Sequence, residues 1–386
     1  MKPVMRESYL IFGQPLIEEP EIQEVVDSMR NAWLGTGPKV AEFERLVAEY
    51  KGVRHAVAVN SCTAGLHLAC IALGLKPGDE VIVPAMTFCA TINAVIHAGA
   101  TPVLVDVDAS TFNMDPADVR RKITSRTRAI LPVHFAGRSC DMDALTAIAS
   151  EFGLLLIEDC AHAIETEYHG RKAGTFGGCG VLSFYSTKNI VTGEGGMVLT
   201  NDGEIAMRLK RLALHGMSHD AWKRFSDDGY KHYEVVEIGY KYNMMDLQAA
   251  IGMHQIKRID AYWERRRQIW EQYDHALAGL PVQRPAELEP NCRHALHLYT
   301  ILIDSQNSPI SRDRTIVELH KRNIGVGVHY RAIPAHPIYQ ERWGWNPRDF
   351  PASGAIGDST ISLPLSAKLT DRDINDVIQA LSEVFG

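Results

Sequence analysis

The sequence lacks the cysteine spacing of a disulfide scaffold or a zinc ribbon. Its seven cysteines are an odd number, and no two of them form a Cys-x-x-Cys pair. Most of them lie in apolar segments, which suits buried, reduced thiols rather than the disulfides of oxidising compartments. We therefore expect reduced cysteines and a cytoplasmic location.

Long apolar runs and an excess of positive charge are also missing. No stretch reaches the roughly 20 apolar residues that cross a membrane, and residues 1–6 lead into no apolar core of a signal peptide. The 47 acidic side chains outnumber the 40 basic ones, for a formal net charge of −7. A nucleic-acid partner needs a basic face. We therefore expect neither a membrane nor a nucleic acid as a partner.

What is present is the composition of an ordinary folded protein, with 386 residues of which 46% are hydrophobic. This length favours two domains. Between residues 55 and 157, short apolar runs alternate with amphipathic segments, which predicts parallel strands buried on both faces. Two further strands, at 181–185 and 196–200, have no full helix between them, so one of them suits an antiparallel direction.

The pattern changes near Asp246. Residues 247–278 read as one long helical run, and the tail contains two strand-like runs, at 297–303 and 325–330, besides two helices, at 313–321 and 370–385. The sequence thus predicts a large α/β domain over residues 1–250. Residues 251–386 are expected to form a connecting helix and a smaller α+β domain.

Three features fall where predicted strands end, the usual place for ligands in an open α/β sheet. Residues 60–65 (NSCTAG) join a strand to a helix, and a helix N-terminus with small residues is a site for phosphate. Residues 157–162 (IEDCAH) place two carboxylates and a histidine after a buried strand. Lys188 follows another strand among small residues.

Each feature also has an ordinary structural explanation. The first can be a plain serine or threonine helix cap, the second a cap or a salt bridge, and the third a solvated loop lysine. Taken together, they are what pyridoxal 5′-phosphate (PLP) requires: an amine for its aldehyde, a carboxylate for its pyridine nitrogen and a cradle for its phosphate.

Histidine is frequent, with 16 residues, and two close pairs have spacings that can chelate a metal. These pairs are His294 with His297, and His215 with His219. Neither has a third ligand at a suitable spacing, so we expect no metal site.

The order and spacing of several motifs resemble the DegT/DnrJ-type sugar aminotransferases, which are PLP enzymes of the aspartate aminotransferase fold, or fold type I. The resemblance covers nearly the whole chain. It rests on residues 35–38 (GTGP), 61–66 (SCTAGL), 87–91 (TFCAT), 99–103 (GATPV), 105–108 (VDVD), 158–163 (EDCAHA), 183–188 (SFYSTK), 239–244 (GYKYNM) and 328–331 (VHYR).

The resemblance implies roles for individual residues at the cofactor. Lys188 would form the internal aldimine with PLP and then serve as general acid and base, and Asp159 would bind the pyridine nitrogen. The other implied cofactor contacts are His162 near the 3-hydroxyl, Phe88 on the ring face, and Thr63, the Ala64 backbone and Ser183 at the phosphate. Asn243 would reach the phosphate of the other subunit, which implies a homodimer with shared active sites.

Some of these residues have competing structural explanations. Phe88 can belong to the core, His162 can be a buried histidine satisfied by its neighbours, and Asn243 can cap the helix that begins near Asp246. His329, Tyr330 and Arg331 match a substrate-binding segment of the family, but a structural role fits them equally well.

The resemblance also indicates the reaction. A branch of the family that removes a hydroxyl has histidine in place of the aldimine lysine, so Lys188 favours transamination. The implied reaction moves an amino group from L-glutamate to a nucleotide-linked keto sugar, with a UDP-4-keto pyranose as the best match, for surface polysaccharide or natural-product glycosylation. The alternatives are amination at another sugar carbon or of a cyclitol ketone, and a non-catalytic regulatory protein on this fold.

Overall fold

A computed structural model of the chain describes residues 5–218, 233–304 and 306–386. Its centre is a seven-stranded sheet with the order β1-β9-β8-β5-β4-β2-β3. The strands of this sheet are β1 (His55–Val59), β2 (Glu80–Pro84), β3 (Thr101–Val105), β4 (Thr127–Ile130), β5 (Leu155–Asp159), β8 (Cys179–Ser183) and β9 (Gly196–Thr200). Five neighbouring strands are parallel, and β9 runs antiparallel to both β8 and β1. The predicted mostly parallel α/β sheet is confirmed.

Helices cover both faces of the sheet because its strands alternate between two apolar layers. In β2, Val81 and Val83 share a buried cluster with α3 and α4, whereas Ile82 packs with α5 and α6. The helices that flank the sheet are α1 (Glu19–Arg30), α2 (Pro38–Lys51), α3 (Cys62–Ala72), α4 (Cys89–His97), α5 (Pro116–Lys122), α6 (Met142–Phe152), α7 (Gly203–Ala213) and α8 (Asp246–Lys257).

The predicted long helix over residues 247–278 is wrong in one respect, because it is two helices. α8 ends at Lys257 and α9 (Ile259–Ala276) follows, with Arg258 between them at φ −107° and ψ 9°. Beyond Ile259, which still packs in the cluster of α8, the two helices serve different cores. α8 packs against α1 and α2, whereas Ile269 and Tyr273 of α9 lie in a second apolar cluster. One straight helix cannot face both cores, so the chain turns at Arg258.

The second cluster surrounds a small antiparallel sheet with the order β10-β12-β13. The elements that follow α9 are β10 (Val282–Gln283), β11 (Cys292–Arg293), β12 (Tyr299–Ile303), α10 (Arg312–Lys321), α11 (Pro337–Trp343), α12 (Pro351–Ser359), β13 (Thr360–Leu363) and α13 (Asp371–Phe385). Two short strands of the first part, β6 (Glu167–Tyr168) and β7 (Arg171–Lys172), form a third sheet with β11. The division at residue 250 stays a prediction.

The predicted strand over residues 325–330 is wrong. Only Gly327 bridges the small sheet, through two backbone hydrogen bonds with Ser362. Further along, the chain leaves the sheet, and Ile333 donates its N–H to the carbonyl of Ala85 at the end of β2. This path carries residues 329–331 from the small sheet to the end of the large one. No helix in the three described ranges has the length and apolar character to cross a membrane.

Candidate active site

The site forms where β5 and β8 end side by side. The two strands are parallel neighbours, with Asp159 opposite Val181 in the pairing register. Asp159 is the last residue of β5, and the loop after β8 carries Lys188. Parallel strands end at the same edge of a sheet, so their polar residues meet there. The structure thus brings together the two residues that carry the sequence hypothesis.

Lys188 lies in a tight turn, where its N–H donates to the carbonyl of Tyr185. Burial lowers the pKa of the Lys188 amine to about 8, while nearby Cys62 and Asp159 act in the opposite direction. A lysine with a lowered pKa has a larger fraction of neutral amine near neutral pH, and the neutral amine is the nucleophile that attacks an aldehyde. Lys188 is therefore a suitable group for carbonyl chemistry.

This lowered pKa predicts a specific pH dependence for the protein without PLP. Acylation of Lys188 by an amine-reactive reagent should rise with pH and level off above about pH 8, because the neutral amine is then the main form. Ordinary exposed lysines continue to gain reactivity up to about pH 10.4 and serve as internal references. Peptide mass spectrometry after brief labelling measures both. A Lys188 profile that follows the exposed lysines would contradict the assignment.

Asp159 is 4% exposed and both of its carboxylate oxygens accept hydrogen bonds. Oδ1 accepts from the N–H of Ala161 at 3.0 Å, and Oδ2 accepts from the hydroxyl of Thr91 at 2.9 Å. Burial raises the pKa of Asp159, whereas these hydrogen bonds and the Lys188 charge lower it. A buried carboxylate held in this way suits a cationic partner, such as a protonated pyridine nitrogen.

The N-terminus of α3 begins directly after β1, beside Ser183 on β8. Ser61 caps the helix, because its Oγ accepts the N–H of Ala64 at 3.1 Å. The Ala64 N–H assigned to phosphate is therefore engaged by the cap, and a phosphate there would share or replace this bond. The side chains of Thr63 and Ser183 are half-buried. The helix N-terminus supplies the partial positive charge that favours a phosphate.

Gly196 allows the sheet to approach this helix start. Gly196 begins β9 opposite Val59 and Ser183. A Cβ at this position would lie 2.6 Å from the carbonyl carbon and oxygen of Ser61 and 2.7 Å from the nitrogen of Cys62. Those are backbone atoms, so they cannot move aside as a flexible side chain does. The phosphate cradle at the start of α3 therefore requires a residue without a side chain at Gly196.

Substitution of Gly196 by alanine should distort the cradle. We expect the free energy of unfolding to fall by about 1–3 kcal/mol, the usual effect of overpacking, and PLP binding to weaken about tenfold or more. Urea unfolding of the apoprotein and PLP titration measure the two effects. Gly279→Ala is the matched control, because a Cβ at Gly279 meets no atom within 4 Å. Equal PLP affinity in both variants would show that the cradle is not the phosphate site.

His162 is 5% exposed, and its hydrogen bonds define its tautomer. Nδ1 accepts the backbone N–H of Ala136 at 3.2 Å, so this nitrogen carries no proton. Burial, with the nearby Lys188 charge, lowers the pKa of His162 well below its usual range, so the ring is neutral. Nε2 therefore donates to the hydroxyl oxygen of Tyr330 at 3.1 Å. The Tyr330 proton is then available to a group in the site, and burial raises the pKa of Tyr330.

Phe88 is not a core residue, because 56% of it is exposed. It precedes α4, and its ring centroid lies 5.6 Å from that of Tyr330. An exposed aromatic ring at the edge of a polar site offers a face on which a planar ring can stack. The structure thus excludes the core explanation of Phe88.

His329 and Arg331 differ in their surroundings. His329 Nδ1 lies 2.9 Å from the Ser362 hydroxyl, and burial with the Lys188 charge lowers the pKa of His329 to about 3. His329 is therefore a neutral group near Lys188. The guanidinium of Arg331 is exposed and makes no ion pair with any other residue in the described ranges. It is a cation that can meet an anionic substrate.

Asn243 does not cap α8, because Met245 is the capping residue. Asn243 Nδ2 donates to the Thr36 hydroxyl at 2.7 Å, and Thr36 donates to the carbonyl of Met244. The Oδ1 of Asn243 is buried and has no hydrogen-bond partner in the part of the chain that the structure describes. The helix-cap explanation is therefore wrong, and the second Nδ2 hydrogen can serve another acceptor.

One histidine pair considered for a metal, His294 and His297, has other partners. His294 Nδ1 accepts the N–H of Leu296 at 2.8 Å, and His297 Nδ1 lies 2.9 Å from Asn189 Oδ1. His215 is a described residue with φ 58°, whereas His219 lies outside the described residues.

A different cluster, His134, Glu158 and Cys160, has its possible ligand atoms within 4.8 Å of one another. His134 Nδ1 accepts the N–H of Cys140, so Nε2 donates to Glu158 at 3.1 Å. The Glu158 carboxylate also accepts three backbone N–H groups, among them that of Gly174. These hydrogen bonds give the cluster a structural role in the fold.

Sequence reasoning missed the roles of Thr87 and Thr91. Both belong to a motif that resembles the family, yet only Phe88 of that motif was assigned a contact. Thr91 bonds directly to Asp159, and Thr87 lies 2.8 Å from Thr91. The available signal was two hydroxyl residues four apart, directly after a buried strand.

Comparison with protein families decides the assignment. The model of the DegT/DnrJ/EryC1/StrS aminotransferase family matches residues 15–382. The chain belongs to this family. The resemblance inferred from the motifs is therefore confirmed, and so are fold type I, the aminotransferase class and PLP as the cofactor.

The similarity to individual relatives extends over nearly the whole chain. The chain is 46% identical over 380 residues to the spore coat polysaccharide biosynthesis protein SpsC of Bacillus subtilis, covering 98% of each chain. The solved structure of Spr1654 from Streptococcus pneumoniae in its PMP form has a TM-score of 0.90 and 34% identity, covering 97% of each chain.

A third relative is PseC of Helicobacter pylori, an aminotransferase involved in the biosynthesis of pseudoaminic acid. Its structure has a TM-score of 0.90 and 27% identity, covering 98% of this chain and 99% of its own.

The residues present fit PLP in this aminotransferase. Lys188 supplies an amine of lowered pKa, Asp159 a buried carboxylate with an oriented hydrogen-bond shell, and Phe88 an exposed ring face. Gly196 leaves the helix start open, since a Cβ there would fill the space beside Ser61. These groups would hold the aldehyde, the pyridine nitrogen, the ring and the phosphate of PLP, respectively.

Proposed function

We propose that this sugar aminotransferase transfers the amino group of L-glutamate to a nucleotide-linked keto sugar, with a UDP-4-keto pyranose as the first candidate. The observation that carries the proposal is the position of residues 329–331. This segment leaves the small sheet and reaches the site, where His329 and Tyr330 lie near Lys188 and Asp159. Arg331, beside them, is exposed.

The charge balance means that a phosphate-bearing substrate would have to be recognised locally. The chain has a net charge of −7 and does not attract anions as a whole. A diphosphate must therefore meet individual cations, and Arg331 is an exposed cation within the site segment. A guanidinium binds phosphate oxygens in a bidentate manner, which a neutral residue cannot reproduce.

Each site residue has a defined task in this proposal. PLP, when bound, supplies an electron sink for the cleavage of a C–H bond. The Lys188 amine would take the α-proton of glutamate and release it to the cofactor in the first half-reaction, and it would give a proton to the sugar carbon in the second. Asp159 would hold a proton on the pyridine nitrogen. The neutral His162 fixes the Tyr330 hydroxyl as a donor to a group in the site. Proton transfer of this kind contributes about 10²–10⁴-fold to the rate.

We also propose a homodimer in which Asn243 completes the site of the partner subunit. Asn243 supports this because its Nδ2 has used only one hydrogen, on Thr36, so the second hydrogen can serve a group of the partner subunit. An amide N–H suits a phosphate oxygen, and C2 dimers are the commonest protein oligomers.

A subunit-mixing experiment tests this arrangement. Lys188→Ala and Asn243→Asp should each be inactive alone, the second because a carboxylate repels the phosphate. When the two variants are refolded together, about one quarter of the wild-type activity should return. Half of randomly paired dimers are mixed, and each mixed dimer has one intact site. If Asn243 serves its own chain, mixing restores no activity.

The substrate proposal is tested with ¹⁵N-labelled L-glutamate and a pair of isomeric sugars. The enzyme should move the label to C4 of a UDP-4-keto pyranose, as seen by mass spectrometry and NMR. The corresponding UDP-3-keto sugar and a cyclitol ketone test the alternatives within the same class. Turnover of the 3-keto sugar without turnover of the 4-keto sugar would overturn the proposed position of amination.

The variants Arg331→Lys and Arg331→Ala distinguish a phosphate contact of Arg331 from a structural role. We expect a higher KM for the nucleotide sugar in both variants, because lysine keeps the charge but not the bidentate geometry. The KM for glutamate should stay unchanged. An equal rise of both KM values would indicate a structural role for Arg331.

A further inference from the structure

We propose that Thr91 and Thr87 are positioning residues for the cofactor, forming a one-way chain of hydroxyl hydrogen bonds that holds the Asp159 carboxylate in its ionised, ring-facing form. The proposal rests on the PLP-dependent class of the enzyme and is independent of the sugar substrate. It concerns two residues that touch neither the lysine nor the phosphate cradle.

The chain of hydroxyls is buried throughout. Thr87 is 2% exposed, Thr91 is 1% exposed and Asp159 is 4% exposed. Thr91 Oγ1 lies 2.9 Å from Asp159 Oδ2, and Thr87 Oγ1 lies 2.8 Å from Thr91 Oγ1. In a buried setting such bonds are stronger than at the surface, and successive bonds polarise one another.

The direction of these hydrogen bonds follows from the number of protons that each group can donate. An ionised carboxylate only accepts, so Thr91 must donate its single hydroxyl proton to Asp159. Thr91 then has no proton left for Thr87, and Thr87 must donate to the Thr91 oxygen. Each hydroxyl therefore points toward Asp159. The N–H of Ala161 occupies the other carboxylate oxygen at 3.0 Å.

This arrangement opposes the effect of burial on Asp159. Burial alone favours the protonated, neutral carboxyl group, and the Thr91 bond favours the charged one. A proton shared between Asp159 and a pyridine nitrogen then stays on the nitrogen, where it makes the ring an electron sink. The titratable groups that face Asp159 from the surrounding elements are Lys188, His134, Cys62, Cys160 and Tyr330.

An alternative role for the two threonines is purely structural. They stand at the start of α4, where Thr91 N–H bonds the carbonyl of Phe88. A hydroxyl pair at a helix start can simply stabilise that start. The test therefore needs readouts that a structural role leaves unchanged.

The test uses Thr91→Val, which keeps the shape but removes the hydroxyl, and Thr91→Ser, which restores it. Three quantities are measured: the PLP dissociation constant of the apoprotein, the pH midpoint of the visible absorbance of the holoenzyme, and the Tm of the apoprotein. Thr315→Val is the matched control, since Thr315 is fully buried and its hydroxyl donates to the carbonyl of Ser311, the residue that caps α10.

We expect Thr91→Val to weaken PLP binding about tenfold, since it removes a hydrogen bond to a charged group. The absorbance midpoint should rise by about one pH unit. The reason is that a more basic Asp159 withdraws positive charge from the ring, which makes the lysine nitrogen easier to protonate. Thr91→Ser should return both values toward the wild type, and Thr315→Val should leave both unchanged.

Thr87→Val gives the second arm of the test. It leaves the Thr91–Asp159 bond in place, so the midpoint should shift in the same direction but by less. The proposal is overturned if Thr91→Val lowers the Tm while the midpoint and the PLP affinity stay at the wild-type values. Should Thr91→Val fail to fold, the Thr87→Val midpoint decides, and an unchanged midpoint overturns the proposal.

Discussion

Substitution of Lys188 by alanine should lower the rate of transamination by about 10⁴-fold, the upper end of the contribution of general acid–base catalysis. We expect a large loss because one side chain would supply two functions, the amine that binds the PLP aldehyde and the group that moves the α-proton. The rate of conversion of glutamate to 2-oxoglutarate, with the keto sugar as acceptor, measures the effect. The fold should be intact, because Lys188 is held by its backbone bond to Tyr185.

The matched comparison is Lys76→Ala, a lysine whose side chain is exposed and lies outside the site. It should retain wild-type activity. An external primary amine can test the chemistry further, since it should restore part of the lost rate in Lys188→Ala alone. If Lys188→Ala retained more than about a tenth of the activity, an effect of only about 1.4 kcal/mol, the catalytic assignment would be wrong.

Substitution of Asp159 by asparagine should have the second largest effect, a fall of about 10³-fold in kcat/KM. Loss of one partner of a buried charge pair costs about 3–5 kcal/mol, and each 1.4 kcal/mol is about a tenfold change. An amide carries no negative charge, so the pyridine nitrogen loses the group that holds its proton. Steady-state kinetics measure the fall, and Asp159→Glu tests whether charge alone is sufficient.

Asp118→Asn is the control for loss of a buried carboxylate. Asp118 is 4% exposed, and it bonds Arg121 and the backbone N–H of Asp106, away from the site. This variant should be less stable but should keep its kcat and its visible absorbance spectrum. A similar kinetic loss in both variants would show that Asp159 acts through the stability of the fold.

The local sequence pattern was sufficient to predict the strands and helices that alternate along the chain. The short apolar runs predicted the parallel sheet, and the missing helix between residues 185 and 196 indicated the antiparallel β9. Lys188 and Asp159 were predicted together because both follow buried strands. The predicted start of the last helix at residue 370 agrees with the capping box that Thr370 and Asp373 form.

Features that depend on distant packing were not visible in the sequence. The break at Arg258 arises because α8 and α9 face different cores, and nothing in the local periodicity marks it. The segment at 325–330 has strand composition, but its Gly327 alone pairs with the small sheet. In both cases tertiary contacts override local preference.

The hydrogen-bond partners in the site could not be predicted either, because they also depend on contacts between distant parts of the sequence. Thr91 and Asp159 are 68 residues apart in sequence, and His162 and Tyr330 are 168 apart. Side chains that act through one hydrogen bond leave no periodic pattern. The sequence could therefore predict the residues assigned to PLP better than the residues that hold those side chains in place.

We expect Lys188, beside Asp159, to carry the cofactor, and peptide mapping of the borohydride-reduced holoenzyme is the decisive measurement. Lys51 is the sharpest competitor, because burial also lowers its pKa to about 8 and it is 2% exposed. Its ammonium, however, donates to the Ile164 carbonyl, inside the fold. We expect the reduced PLP adduct on the peptide that contains Lys188 and no adduct on the peptide that contains Lys51. An adduct on Lys51 or on any other lysine, with Lys188 unmodified, would contradict it.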